Sequence, residues 1–119
     1  MGKFGLVMLD SMLPYEISVA DVAQLRAGSA PFILLDVREP WEIETASLPG
    51  SLNIPMNDIP ARANNDLDPD AHIVVMCHHG ARSLSVAAWL RREGFDQAQS
   101  MAGGIEQWSR EIDGKVPRY

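Results

Sequence analysis

Two stretches of the chain contain apolar residues in nearly unbroken succession. They are "PFILLDV", which ends at Val37, and "AHIVVM", which ends at Met76. Runs of this length, without polar alternation, indicate strands that are buried on both faces. Shorter extended segments are predicted at "YEIS", "SLNIP" and "AQSM".

The segments between these strands have helical features. "VADVAQLRAG" keeps apolar residues at helical spacing, with Ser18 before it as an N-cap and Gly28 as a stop. "EPWEIETA" places a proline where a first helical turn accepts it. Further helices are predicted at "SLSVAAWLRRE", beginning near Ser83, and at "GIEQWSREI", whereas "MNDIPARANN" predicts a weak helix or a turn.

Strands that alternate with helices predict an α/β fold with a mainly parallel central sheet. No repeat or shift in composition divides the chain, so we expect one domain over residues 15–119 after a lead-in over residues 1–14. The apolar run of the lead-in, from Phe4 to Leu9, is short and is followed by Asp10. We therefore expect neither a signal peptide nor a membrane-spanning helix there.

Composition and charge narrow the classes of function. The chain has 119 residues, of which 46% are apolar and 22% charged, as in ordinary globular domains. A net charge of −6 argues against nucleic acid as a general partner, and no basic membrane-surface helix is present. A single cysteine excludes an intrachain disulfide. We expect a soluble, cytoplasmic protein.

The single cysteine, Cys77, lies where the second buried strand ends, in the sequence "CHHGARS". A lone cysteine at such a position is commonly a small core residue. Here a polar loop follows. Gly80 allows the loop to curl so that its successive backbone N–H groups point toward one position, in front of the N-terminus of the next helix. This setting, with Arg82 nearby, favours thiolate over thiol and predicts a nucleophile. The candidate substrate-binding residues are the rest of the loop: His78, His79, Gly80, Ala81, Arg82 and Ser83.

Four segments together resemble the rhodanese family. "CHHGARS" resembles its active-site loop, Cys-x-x-Gly-x-Arg followed by Ser or Thr, and "LLDVREPWEI" resembles its Asp-Val-Arg motif. "SLPGSLNIP" is similar to its His-Ile-Pro-Gly-Ala-x-Asn-Ile-Pro segment, and "MAGGIEQW" to its Gly-Gly-x-x-x-Trp. The resemblance runs from about Tyr15 to Trp108. It departs at Ser47 and Ala46, where the family usually has histidine and glycine, and this affects the expected detail of the pocket.

The resemblance implies a rhodanese domain with a central, mostly parallel five-stranded sheet and helices on both faces. It also implies a sulfurtransferase in which Cys77 takes a sulfane sulfur from a donor such as thiosulfate, as a persulfide, and passes it to cyanide or a thiol. Asp36 and Arg38 would form a buried pair that organises the loop. No metal or organic cofactor is implied. The expected partners are a small-molecule donor and acceptor, or a protein thiol or persulfide, and the expected state is a monomer or weak dimer.

Several residues allow two interpretations. His78 and His79 lack further metal ligands in view, so we expect them at the pocket rim, either contacting substrate or exposed without a role. Arg82 would point into the loop or outward to a substrate anion. Ser83 would cap the helix or hydrogen-bond the sulfur.

Arg38 and Glu42 allow a surface ion pair. Core or core-edge positions are expected for the tryptophans: Trp41, Trp89 and Trp108.

Two other functions fit the same segments. Related cysteine-loop phosphatases and arsenate reductases use a loop one residue longer, which has room for a phosphate-like anion. Four residues separate Cys77 from Arg82 here, so we expect such an anion to fit poorly. A binding module without activity is the other alternative, although relatives of that kind commonly lack the cysteine.

Overall fold

Five parallel strands form the central sheet of the computed structural model, which describes residues 13–119. The strands lie in the order β1-β5-β4-β2-β3, and every pair of neighbours is parallel. Their bounds are β1 Glu16–Ile17, β2 Ile33–Asp36, β3 Leu52–Asn53, β4 Ile73–Met76 and β5 Ala98–Met101. The predicted fold is confirmed. The predicted lead-in lies, except for residues 13 and 14, outside the described residues.

In residues 13–119, four helices connect the strands and a fifth follows β5. Their bounds are α1 Val19–Ala27, α2 Pro40–Thr45, α3 Ile59–Asp66, α4 Ala81–Arg92 and α5 Gly104–Glu111. The predicted ends of α1 are confirmed, because the Ser18 side chain accepts a hydrogen bond from the backbone N–H of Asp21 at 3.1 Å and Gly28 is the C-cap. The weak helix or turn after β3 is a short 3₁₀ turn that runs into α3.

Helices cover both faces of the sheet, as predicted. Successive side chains of a strand point to opposite faces. Leu34 and Val74 therefore pack in one apolar cluster with α1 and α5, whereas Leu35 and Val75 pack in a second cluster with α3 and α4. Burial on both faces explains why β2 and β4 have almost no polar alternation.

The structure corrects two predicted positions. Helix α4 begins at Ala81 with Gly80 as its N-cap, so Ser83 lies in the first turn and does not cap the helix. Trp41 is 61% exposed and is not a core residue. The core-edge prediction agrees with the other two tryptophans, since Trp108 is buried and Trp89 is partly buried against the second cluster.

Within residues 13–119, no helix is long and apolar enough to cross a membrane.

Candidate active site

Cys77 directly follows β4, which lies between β2 and β5 in the sheet. Its side chain is buried, and its Sγ accepts hydrogen bonds from the backbone N–H groups of Gly80 at 3.0 Å and Ser83 at 3.3 Å. The loop thus curls around the sulfur, in front of the N-terminus of α4. This arrangement stabilises negative charge on the sulfur, because both N–H groups and the helix dipole present positive partial charge to it.

Gly80 makes the reversal between β4 and α4. Its φ is +111°, a conformation that residues with a side chain rarely adopt. A Cβ at this position would also lie 3.2 Å from the backbone nitrogen of Gly103. The glycine of the loop is therefore required both for its conformation and for close packing against the chain before α5.

The first turn of α5 holds the backbone of the loop from the other side. The N–H of Ile105 donates to the carbonyl oxygen of Cys77 at 2.9 Å, and the N–H of Glu106 donates to that of His78 at 3.1 Å. Gly104, with φ of +62°, leaves no space here, since a Cβ would lie 2.5 Å from the Cys77 oxygen. The "GG" of "MAGGIEQW" thus allows the helix to contact the loop directly.

Ser83 contacts the sulfur through its hydroxyl as well as its N–H. The thiol donates to Ser83 Oγ at 3.3 Å, while Ser83 Oγ donates to the carbonyl of Gly80 at 3.2 Å and lies 2.7 Å from Ser100 Oγ. Of the two predicted roles for Ser83, the geometry agrees with the contact to the sulfur. Sequence reasoning missed Ser100, although a serine within the buried strand "AQSM" was an available signal.

Asp36 and Arg38 form a fully buried ion pair at the end of β2. Arg38 Nη2 lies 2.7 Å from Asp36 Oδ2, and Nε lies 3.0 Å from Oδ1. Arg38 Nη2 also donates to the carbonyl of Ala46 at 2.8 Å, which ties the segment after α2 to this pair. The predicted surface pair between Arg38 and Glu42 is wrong, because Arg38 is buried and contacts the backbone carbonyl of Glu42 rather than its carboxylate.

Arg82 pairs with Glu42 in α2. Its Nη1 lies 2.7 Å from Oε1 and its Nη2 3.0 Å from Oε2, so the guanidinium faces the carboxylate with both arms. The Arg82 hydrogen bonds, with a further one from Tyr119, hold the pKa of the buried Glu42 carboxyl at about 2. The same contact with Glu42 raises the pKa of Arg82. The charge of Arg82 is therefore largely compensated at the mouth of the loop.

Tyr119 reaches the same site and was missed by sequence reasoning. Its hydroxyl donates to Glu42 Oε2 at 2.7 Å and accepts from Arg38 Nη1 at 2.8 Å. Burial and the hydrogen bond to Glu42 raise the pKa of Tyr119 to about 12, against the opposing effect of Arg38. The hydroxyl is consequently protonated at neutral pH.

The two loop histidines lie at the mouth, His78 half-buried and His79 exposed. Their rings stack with centroids 3.9 Å apart, and the Tyr119 ring stacks on His78, also at 3.9 Å and with planes 8° apart. Burial, reinforced by His79, lowers the pKa of His78, which favours the neutral imidazole. His72, the third histidine, is 2.8 Å from Gln99 Oε1 and away from the loop.

The remaining predicted residue, Ala81, is the exposed first residue of α4. No cluster of three or more potential metal ligands occurs in the described part of the chain.

The Rhodanese-like domain family matches residues 18–111, which span every strand but the first and contain the whole Cys77 loop. The chain belongs to this family. The predicted resemblance is thereby confirmed.

Named relatives and solved structures agree with this membership. A sulfurtransferase of Allochromatium vinosum is 34% identical over 95 residues, which cover 80% of this chain and 88% of the relative. The adenylyltransferase and sulfurtransferase Uba4 of Ogataea parapolymorpha is 36% identical over 98 residues, or 82% of this chain but 25% of the relative. The crystal structure of a rhodanese-related protein from Thermoplasma volcanium has a TM-score of 0.74 and 30% identity, covering 83% of this chain and 94% of that one.

The chain spans less than a third of several curated relatives that it matches, with shares of 30%, 25% and 27%. In those relatives the matching region is one part of a longer protein.

A first prediction concerns the contact between α5 and the loop. Gly104→Ala forces a methyl group toward the Cys77 carbonyl, so we expect a loss of about 1 to 3 kcal/mol in the free energy of unfolding and an altered alkylation rate of Cys77. Gly94→Ala is the matched control, because Gly94 also has positive φ but has open space around it. Equal losses in the two variants, measured by denaturant unfolding, would show that the close contact is unimportant.

A second prediction concerns acid stability. The Glu42 pKa is lowered on folding from 4.5 to about 2, so its stabilising contribution is complete above pH 4.5 and is lost as the pH falls toward 2. The free energy of unfolding should fall across this range, with about 3 kcal/mol as the upper limit of the Glu42 share. Glu42→Gln should reduce this slope, and Glu111→Gln, at an exposed glutamate of α5, should leave it unchanged. Identical pH profiles for wild type and Glu42→Gln would contradict the assignment.

Proposed function

We propose that this rhodanese-like domain is a sulfurtransferase that carries a sulfane sulfur on Cys77, from a donor such as thiosulfate to an acceptor such as cyanide or a thiol. The observation that carries the proposal is the position of Sγ, which faces the backbone N–H groups of Gly80 and Ser83 at the end of the central strand β4. Membership of the Rhodanese-like domain family and a relative named as a sulfurtransferase support a role in sulfur transfer.

The first half of the proposed reaction loads the cysteine. The Cys77 thiolate attacks the outer sulfur of thiosulfate, so that a bond forms between Sγ and that sulfur. The S–S bond within thiosulfate breaks, and its electron pair leaves with sulfite. The product is a persulfide on Cys77, with a negative terminal sulfur that the loop N–H groups are placed to stabilise.

The second half unloads the sulfur. A nucleophilic acceptor, cyanide or a thiolate, attacks the outer sulfur of the persulfide. The bond between this sulfur and Sγ breaks, and the electron pair returns to Cys77 as thiolate. The protein returns to its starting oxidation state after the cycle. The chain contains no second cysteine that could attack the persulfide and form an internal disulfide, so the sulfur leaves to an external acceptor.

We assign the electrostatic role mainly to backbone N–H groups. Arg38 is neutralised by Asp36, and Arg82 by Glu42, so neither guanidinium is available to a donor at full charge. Positive partial charge from the loop and from the N-terminus of α4 is directed at the sulfur itself. Asp36 and Arg38 in this proposal organise the loop and do not contact the reacting atoms. A protein thiol or persulfide is a further acceptor or donor in the proposal.

The direct test uses Cys77→Ser. With thiosulfate and cyanide, wild type should form thiocyanate, and the variant should lose at least about a thousandfold in rate because serine cannot form the persulfide. Thiocyanate is measured colorimetrically, with circular dichroism to check that the variant is folded.

Equal rates for wild type and Cys77→Ser would refute the proposed function. An aryl phosphate assay of wild type tests the phosphatase alternative in parallel. Hydrolysis of the ester faster than sulfur transfer would place that alternative first.

A further inference from the structure

Tyr119 connects two ion pairs of the site through a single hydroxyl. As acceptor, the hydroxyl receives a hydrogen bond from Arg38, which is paired with Asp36. As donor, it reaches Glu42, which is paired with Arg82. A phenol can donate one hydrogen bond while accepting another, and both capacities are used here. The buried pair at the end of β2 is thus linked to Arg82 in the first turn of α4.

The ring of Tyr119 has a separate contact. It lies parallel to the imidazole of His78 at 3.9 Å, while His79 stacks on His78 at the same centroid distance. Trp41 meets the Tyr119 ring edge-on at 6.0 Å and is 61% exposed. Four aromatic side chains are therefore linked by ring contacts, and Tyr119 contacts two of the other three directly.

These contacts act on both flanks of the N–H groups that face the sulfur. His78 immediately follows Cys77, and Arg82 immediately precedes Ser83, whose N–H donates to Sγ. Loss of the hydroxyl would remove one of the hydrogen bonds that hold the Glu42 carboxylate, and would weaken the fixing of Arg82, which pairs with that carboxylate. Loss of the ring would free the His78 imidazole. In either case the loop backbone gains freedom close to the reacting sulfur.

We propose that Tyr119 is a positioning residue for sulfur transfer. Its hydroxyl fixes Arg82 through Glu42, and its ring fixes His78 at the mouth through which the acceptor enters. This inference rests on the proposed sulfurtransferase function, but it assigns a role to a residue outside the family-matched region, which ends at residue 111.

Two variants separate the hydroxyl from the ring. Tyr119→Phe keeps the stack on His78 and removes both hydrogen bonds, so we expect kcat to fall about tenfold with little change in the acceptor KM. Tyr119→Ala removes the ring as well, and we expect the acceptor KM to rise in addition. We therefore expect Tyr119→Phe to keep the wild-type acceptor KM and Tyr119→Ala to lose it. Thermal unfolding of both variants shows whether they are folded at the assay temperature.

A double-mutant cycle tests the route through Glu42. If the hydroxyl acts on Arg82 by way of Glu42, Tyr119→Phe should have a smaller effect in the Glu42→Gln background than in wild type. Tyr15→Phe is the matched control, since it removes the hydroxyl of the chain's other tyrosine. Tyr15 lies just before β1, and its ring is 4.4 Å from the guanidinium carbon of Arg91. Its kinetics should equal those of wild type.

The outcomes distinguish this inference from the proposed function. Wild-type kcat and KM in both Tyr119 variants, with sulfur transfer intact, would overturn the inference and leave the proposed function standing. Absence of sulfur transfer in wild type would instead refute the proposed function. In that case the rate of Cys77 alkylation still tests the inference. A loosened loop should change this rate in Tyr119→Phe, whereas the rate in Tyr15→Phe should equal that of wild type. An unchanged rate in Tyr119→Phe would overturn it.

Discussion

The contact between the first turn of α5 and the Cys77 loop determines the shape of the site. Two N–H groups of that turn hold the carbonyls of Cys77 and His78, and this fixes the direction in which the chain leaves β4. The loop can then reverse at Gly80 and present its own N–H groups to the sulfur. Such an approach requires a glycine at position 104, where a side chain would meet the loop backbone. The N-terminus of α5 thereby shapes the Cys77 loop through backbone hydrogen bonds and not through a side chain.

Charge in the site is arranged in neutral pairs. Arg38 with Asp36 and Arg82 with Glu42 place opposite charges at 2.7 Å, which offsets the cost of removing these groups from water. Removing one partner of either ion pair would leave an uncompensated charge close to the loop. Because these side chains balance one another, the positive partial charge that faces the sulfur comes chiefly from backbone N–H groups. The side chains set the position of the loop, and the backbone supplies its electrostatics.

Most of the fold, and the centre of the site, could be predicted from the sequence because they depend on local patterns. Apolar runs identified β2 and β4, and the glycine and polar residues after Cys77 identified the loop. Tyr119 could not be predicted, since its partner Arg38 lies 81 residues away in sequence and no periodicity reports such a contact. The orientation of Arg82 and the exposure of Trp41 depend on the same long-range packing. The start of α4 was misplaced because Gly80, rather than a serine side chain, ends the loop.

In the proposed cycle, Cys77 carries the transferred sulfur between two separate reactions. Intact-mass spectrometry of the protein, first with a sulfane donor alone and then after addition of an acceptor, tests it most directly. One added sulfur atom should appear with the donor, map to Cys77 after digestion, and disappear when cyanide or a small thiol is added. Failure to detect an adduct with thiosulfate or any of several other sulfane donors would refute the proposed persulfide on Cys77 and favour a binding module without activity.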